Sequence, residues 1–331
     1  MDYAIKPFGD TVHVSNSMVT TFQSCKRKFL LSYLFKLTPK VIAKPFIFGT
    51  YFGEGLDMFY EKGQINLDTI LNRYWEKFET FENFLSPDEY LEYDKQAAML
   101  EGLLDGYQKF YEKDLKKYKY ICHEKEFSFP ILETGNRKYN YAGKIDLMLQ
   151  LIKTLEDVLV EHKTSSQVTA GYINKLSLDT QVTGYILGAL SEGFDPKRIL
   201  YNVNVKSRLK LKKTEKNDDY LKRIILDYEN EPEKYFIREN LSRSSAELDS
   251  FEAELAEKII DLDVMLMVAD NFDPKKDFKY FYKCESQCNT HWGLCPFFKV
   301  CAGKSGFDQM EVESSFKVRE KYNNELEGVK K

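Results

Sequence analysis

Two stretches in the middle of the chain, Tyr139-Asn-Tyr-Ala-Gly-Lys-Ile-Asp146-Leu-Met-Leu-Gln-Leu151 and Val158-Leu-Val-Glu161-His-Lys163, decide how the rest is read. Both are strongly apolar apart from a few charges, and a short polar turn separates them, so they predict neighbouring strands. Side chains alternate across a strand, so Glu161 and Lys163 project together while Val158, Val160 and His162 face the other way. Asp146 lies on the preceding strand, near enough in sequence to pair with this one. Charges set in Leu-Met-Leu and Val-Leu-Val runs are costly unless they are paired or hold a metal. Two carboxylates on adjacent strands make the hard, oxygen-rich site that Mg²⁺ or Mn²⁺ prefers. A neighbouring ammonium can orient a water or stabilise charge developing on a phosphate. The plainer reading is a structural ion pair of Lys163 with either acid.

Outward from this centre, Lys125–Ile131 reads as a further strand and Leu200–Lys206 as an alternating one that continues toward Lys212. Helical periodicity covers Met18–Leu34 (capped by Ser15 or Ser17), Phe48–Tyr60, a polar, aromatic-rich layer over about 67–118, Ile173–Leu190, Tyr220–Tyr228 and Ala246–Met267. Strands in the middle with helices before, between and after predict an α/β fold, a central mixed β-sheet flanked by helices. No internal repeat or low-complexity linker interrupts the chain. The expectation is one domain over residues 1–306 with a helical insertion at about 67–118, then a solvated polar tail over 307–331.

The chain has 331 residues, of which 43% are hydrophobic, enough for a sizeable core. No apolar run approaches the roughly 18 residues of a membrane span, and the N-terminus lacks an apolar signal stretch. A cytoplasmic protein without membrane contact is expected (host cytoplasm, if the chain is viral). The net charge of −4 does not exclude a nucleic-acid partner, because a global sum hides local fields. Lys206, Arg208, Lys210 and Lys212 alternate with Ser207, Leu209 and Leu211 and would line one face of an extended segment. Lys26, Arg27 and Lys28 form a second basic row. Such rows suit a phosphate backbone, and a solvated strand face is the equal alternative. Gly303-Lys304-Ser305 is no phosphate loop, since the first glycine of that pattern would fall at Phe298. Any unwinding would come from a helicase or recombination partner.

Six cysteines in a long intracellular chain read as metal ligands or core thiols more readily than as disulfides. Cys122 is taken as a core thiol. Cys288, Cys295 and Cys301 are too widely spaced for a zinc knuckle. With Cys25 they would clamp the two ends of the chain together, which limits the freedom of the unfolded state. A local Zn²⁺ site using Cys284, Cys288, Cys295 and Cys301 is the alternative. Downstream of the strand pair, Gln181 and Tyr185 lie one helical turn apart and share a face. Taken alone they describe an ordinary amphipathic helix.

In combination, a helical glycine motif, Gly-Lys-Ile-Asp, Glu-His-Lys and Gln-x-x-x-Tyr resemble the RecB-like branch of the PD-(D/E)xK nuclease superfamily. The flanking cysteines, with Pro296 after Cys295, resemble the iron–sulfur members of that branch, among them the AddB nuclease domain, CRISPR-adaptation nucleases and stand-alone viral exonucleases. The resemblance runs from about Ser15 to Cys301. It implies a restriction-endonuclease-like core and Mg²⁺- or Mn²⁺-dependent hydrolysis of DNA. It also implies a 4Fe–4S cluster on Cys25, Cys288, Cys295 and Cys301, with Cys284 the alternate ligand. Asp146, Glu161 and the main-chain carbonyl of His162 would hold the divalent ion. Lys163 would serve the attacking water or the phosphate, with Gln181 and Tyr185 supporting the site. Glu126 is a further candidate ligand. In the family a histidine follows the helical glycine in a Gly-x-x-x-His pattern, whereas here Gly53 follows Gly49. Glu54 is the candidate substitute, although one helical position turns a side chain by about 100°. The leading expectation is an exonuclease in DNA repair, recombination or viral and CRISPR DNA processing. A catalytically weak DNA-binding partner and a zinc-stapled structural protein are the competing ones.

Overall fold

The structure is a computed structural model that describes residues 8–290, 293–303 and 307–319. The chain begins with β1 (Thr11–Val14), α1 (Asn16–Ser24), α2 (Lys26–Phe29), a π-helical turn over Leu30–Leu34, β2 (Leu37–Pro39) and α3 (Lys44–Lys62). Next come α4 (Leu67–Glu79), α5 (Pro87–Phe110) and α6 (Asp114–Lys117). The hairpin β3 (Tyr118–Glu133) and β4 (Lys138–Leu151) leads to β5 (Asp157–Ser165), α7 (Ala170–Lys175), α8 (Thr180–Ser191) and β6 (Arg198–Val205). After α9 (Asn217–Asn230), α10 (Pro232–Tyr235) and β7 (Phe236–Leu241) come α11 (Ser245–Asp270) and α12 (Pro274–Asp277). The last described stretches carry β8 (Asn289–Thr290), β9 (Gly293–Leu294), α13 (Phe298–Ala302), α14 (Gln309–Ser315) and β10 (Phe316–Val318).

Among the described residues six strands form the central mixed sheet, and β4 organises it. β3 runs antiparallel along one edge of β4. On the other edge β1 pairs parallel with Lys138–Tyr141, and β5 pairs antiparallel only over Leu147–Gln150. β5 pairs in parallel with β6 along its whole length, and β7 closes the sheet antiparallel to β6. The Val-Leu-Val run of β5 is apolar on both faces because both faces are covered. One face packs Leu159, Ile199 and Val203 with Phe22 of α1, Val182 and Ile186 of α8, and Leu255 of α11. The other packs Leu147, Val158, Val160 and Leu200 with Phe48 and Phe52 of α3, Leu104 and Tyr107 of α5, and Ile224 of α9. The helices over 67–118 are therefore a packed layer of the core. No helix among the described residues is long and apolar enough to cross a membrane.

Several boundaries differ from the sequence reading. The expected helix over Met18–Leu34 breaks at Cys25, whose extended backbone and Sγ start α2. The expected helix over Ile173–Leu190 splits at Asp179, because that carboxylate accepts from the N–H groups of Gln181 and Val182 and starts α8 afresh. β6 ends at Val205 and does not continue to Lys212. The segment from Phe307, read as solvated, packs as far as it is described. β10 pairs with β2, Val312 and Phe316 are buried, and Phe316 stacks on Phe297 at 4.9 Å. His13 lies 3.2 Å from Ser128 Oγ and His123 lies 2.7 Å from the Tyr120 hydroxyl. His291 lies outside the described residues.

Helix α8 approaches the sheet closely because it carries glycine where other residues carry bulk. A Cβ on Gly188 would stand 2.5 Å from the Phe127 ring. Gly188→Ala should lower stability by about 1–3 kcal/mol by overpacking this contact. Chemical denaturation of both proteins checks it.

Candidate active site

The site forms where β4 and β5 part. Their ladder ends at Leu147 and Val160, so the next N–H of β5, that of His162, has no strand partner on that side and donates to Asp146 Oδ2 at 3.2 Å. Asp146 itself sits at an irregularity. Ile145 joins one core cluster and Leu147 the other, although residues two apart on a regular strand share a face. The β3–β4 register runs from His123–Leu147 to Lys125–Ile145 and skips Glu124 and Asp146 between them, and Glu124 has φ +49°, so the ladder is interrupted at this rung.

Glu161 is 0% exposed. Its Oε1 meets the Lys163 ammonium, while Oε2 has no hydrogen-bond partner. Lys163 donates to Gln181 Oε1 at 3.0 Å, and Gln181 Nε2 donates to the Tyr185 hydroxyl at 2.7 Å. The break at Asp179 makes this possible, because it sets the first turn of α8 against β5. Asp146, Glu161, Lys163, Gln181 and Tyr185 are thus brought together, and the ordinary amphipathic reading of the α8 pair does not describe them. The imidazole of His162 points to the opposite face.

Electrostatics mark the site as short of positive charge. Burial, then the adjacent Asp146, pushes the Glu161 carboxyl up to about 8. Burial also raises Asp146, against the pull of Lys163 and the His162 N–H. Burial opposes the charge on Lys163, but Glu161 and Asp146 outweigh it and raise its pKa. Buried carboxylates held this far from their ordinary range are what a bound cation relieves.

Helix α3 contributes a residue that the sequence reading missed. Burial, then Glu124, Asp146 and Glu54, pushes Asp57 up to about 8. Asp57 lies one turn beyond Gly53, at the Gly-x-x-x spacing counted from Gly53 instead of Gly49, and that spacing was the available signal. Glu54 is turned toward α4, where it pairs with Arg73 at 3.1 Å, as its 100° offset dictates. On β3, Glu124 is level with Asp146 and pairs with Lys144, whereas Glu126 sits opposite Lys144, two residues along. Among the described residues no group of three or more His, Cys, Asp or Glu side chains converges closely enough to hold a metal ion.

The basic rows divide. Arg208, Lys210 and Lys212 are exposed beside half-buried Leu209 and Leu211, on a segment that is not a strand. Lys206 is not part of that surface. Its ammonium stands 3.8 Å over the Phe48 ring, and burial pushes it down to about 8. Arg27 is likewise structural, being buried and donating to the carbonyls of Phe281 at 2.8 Å and Phe278 at 3.2 Å. That contact brings the two ends of the chain together. Cys25, Cys284, Cys288, Cys295 and Cys301 line one small pocket with Lys28 and Lys283. Burial raises the Cys295 thiol and pushes Cys301 up to about 11.

The raised acids fix a sign for pH dependence. Burial pushes Asp57 up to about 8 in the fold from about 4 when unfolded, and raises Glu161 in the same direction, so their contribution is fully present below about pH 4 and is lost as pH rises to about 8. Melting temperatures in chelator should fall over that window. Mg²⁺ or Mn²⁺ should raise them most at its upper end, and Asp57→Asn should flatten the slope.

A family model of the PD-(D/E)XK nuclease superfamily matches residues 13–302. No curated protein matches the chain. The match runs from within β1 through α13, including both strands of the carboxylate site and α8. By that match and by its mixed sheet with the acid–acid–lysine fork, this chain belongs to the PD-(D/E)XK nuclease superfamily.

Proposed function

We propose that the chain is a Mg²⁺- or Mn²⁺-dependent deoxyribonuclease that acts from DNA ends. The observation that carries this reading is the buried Glu161 carboxylate adjoining Asp146, beside a lysine that Gln181 holds in place. The donor set fits a hard divalent ion. It consists of carboxylate oxygens with raised affinity for positive charge, and Mg²⁺ characteristically keeps several waters instead of demanding an all-protein cage. Asp146 and Glu161 would hold the ion, joined by the His162 main-chain carbonyl, with Asp57 and Glu124 reaching the site from α3 and β3. Such an ion polarises a phosphoryl oxygen and lowers the pKa of a bound water.

Lys163 is the residue placed to orient the attacking water or to stabilise charge on the phosphate. Gln181 restricts its rotamers by accepting from Nζ, and Tyr185 in turn fixes the Gln181 amide. Arg208, Lys210 and Lys212 are exposed cations suited to the backbone of a strand. Work in repair, recombination or the processing of viral or CRISPR DNA agrees with such a site, with unwinding left to a helicase or recombination partner. The second reading, a weak DNA-binding protein, was motivated by Gly53, and Asp57 removes most of that motive by supplying an acid one turn away.

The thiols fit a 4Fe–4S cluster by donor chemistry, since Cys25, Cys288, Cys295 and Cys301 line one pocket with cationic side chains nearby. A cluster there would tie α2 to the C-terminal segment. Zn²⁺ on Cys284, Cys288, Cys295 and Cys301 is the alternative.

Asp146→Asn and Lys163→Met should each lower cleavage of end-labelled DNA on the order of 10²–10³-fold or more with either ion. Undiminished cleavage by both variants would end the assignment. Asp57→Asn should cost about 10–100-fold and raise the Mn²⁺ concentration needed, while Glu54→Gln leaves both unchanged. Anaerobically purified protein should be coloured and contain iron, and Cys25→Ser should lose that colour. A colourless product with stoichiometric zinc would favour the alternative.

A further inference from the structure

On the reverse of β5 from Glu161 and Lys163, a polar row crosses three strands inside an otherwise apolar layer. His162 is in register with Asn202 of β6, and Asn202 is in register with Arg238 of β7. Asn202 Nδ2 lies 3.3 Å from His162 Nδ1, and Arg238 Nε donates to Asn202 Oδ1 at 2.7 Å. Arg238 then pairs with Asp114 of α6 at 2.8 Å and donates to the Tyr60 hydroxyl at 3.3 Å. Tyr60 also donates to Asp114 at 3.0 Å. Asn202 is 0% exposed and Asp114 7% exposed.

A buried ion pair of this kind is weak evidence for stability, because desolvation offsets its Coulombic gain. Its best-attested use is to fix register. Register matters unusually here. A one-residue slip of β5 against β6 would turn Glu161 and Lys163 into the helical layer and send His162 to the carboxylate cleft. The ladder to β4 ends at Val160, so beyond that residue β5 is held on one side by β6. The next buried asparagine of β6 reinforces this hold, as Asn204 Nδ2 donates to the Lys163 main-chain carbonyl at 3.3 Å.

We propose that Arg238, acting through Asn202 and His162, is a positioning residue that locks the catalytic strand in the register from which Glu161 and Lys163 meet the cleft. The proposal rests on the nuclease reading above. Its test uses the full chain and compares wild type with Arg238→Lys, which can keep a charge beside Asp114 but has no second nitrogen for Asn202. A second variant, Asn202→Ser, leaves the Arg238–Asp114 pair intact. A third, Arg238→Met with Asp114→Leu, replaces the pair by apolar side chains.

Cleavage of end-labelled DNA is read well below each melting temperature. A 1 Å misplacement can cost about 10²-fold, so kcat should fall about 10–100-fold with KM for DNA within about twofold, and the Mn²⁺ half-saturation point should move. The double variant should recover melting temperature without recovering kcat, a split that a purely structural role would not produce. Wild-type kcat in any folded variant of the three overturns the proposal. If wild type itself cleaves nothing with either ion, the nuclease reading fails instead. The row is then judged by amide exchange in β5, where faster exchange in Arg238→Lys or Asn202→Ser supports the lock and unchanged exchange overturns it.

Discussion

A fully buried carboxylate, that of Glu161, stands beside the half-buried Asp146, and Lys163 meets Glu161 there as an ammonium. Like charges at close range in a desolvated pocket cannot both stay ionised without further positive charge. This constraint explains the geometry around it. β4 and β5 must separate to make room, and the N–H released by the separation is spent on Asp146. Lys163 must be held in place, because its long side chain has rotamers that would leave Glu161 exposed to unmet charge, and Gln181 supplies the hold.

The two core clusters serve the same fork from opposite sides. α8 presses on one face through glycines packed on Phe127 and Tyr141 and delivers Gln181 and Tyr185. α3 presses on the other face with Phe48, Phe52 and Phe59 and delivers Asp57 near its C-terminal end. Neither helix carries its polar residue in a distinctively polar setting. Each is aimed by apolar burial elsewhere on the same helix. The polar row behind β5 belongs to the same logic, since a strand that has lost one neighbour must be registered firmly by the other.

Joining the N-terminal helices to the segment around Phe278 and Phe281 falls to Arg27. Arg27 satisfies main-chain carbonyls of the C-terminal segment, and its guanidinium stands 4.5 Å over Phe278. The basic triplet beside Cys25 therefore divides its labour. Its middle member is a structural bolt, and Lys28 lines the pocket with the cysteines.

Asp146, Glu161 and Lys163 were legible as a candidate cluster because strand alternation fixes which side chains share a face. Gln181 and Tyr185 entered only through the family resemblance, since their shared helix face alone describes an ordinary amphipathic helix. The mixed sheet followed from the placement of apolar runs. Asp57 and Glu124 were not legible. Asp57 depends on how α3 crosses the sheet, and Glu124 on a backbone irregularity that no periodicity announces. Lys206 shows the converse, a cation whose alternation promised solvent and whose position over Phe48 half-buries it. Local pattern by itself determined the strands, the helices and the acid–acid–lysine order, since those are set by residues a few positions apart. Tertiary packing alone decided which charges would be desolvated together, because burial is a property of what neighbouring elements cover.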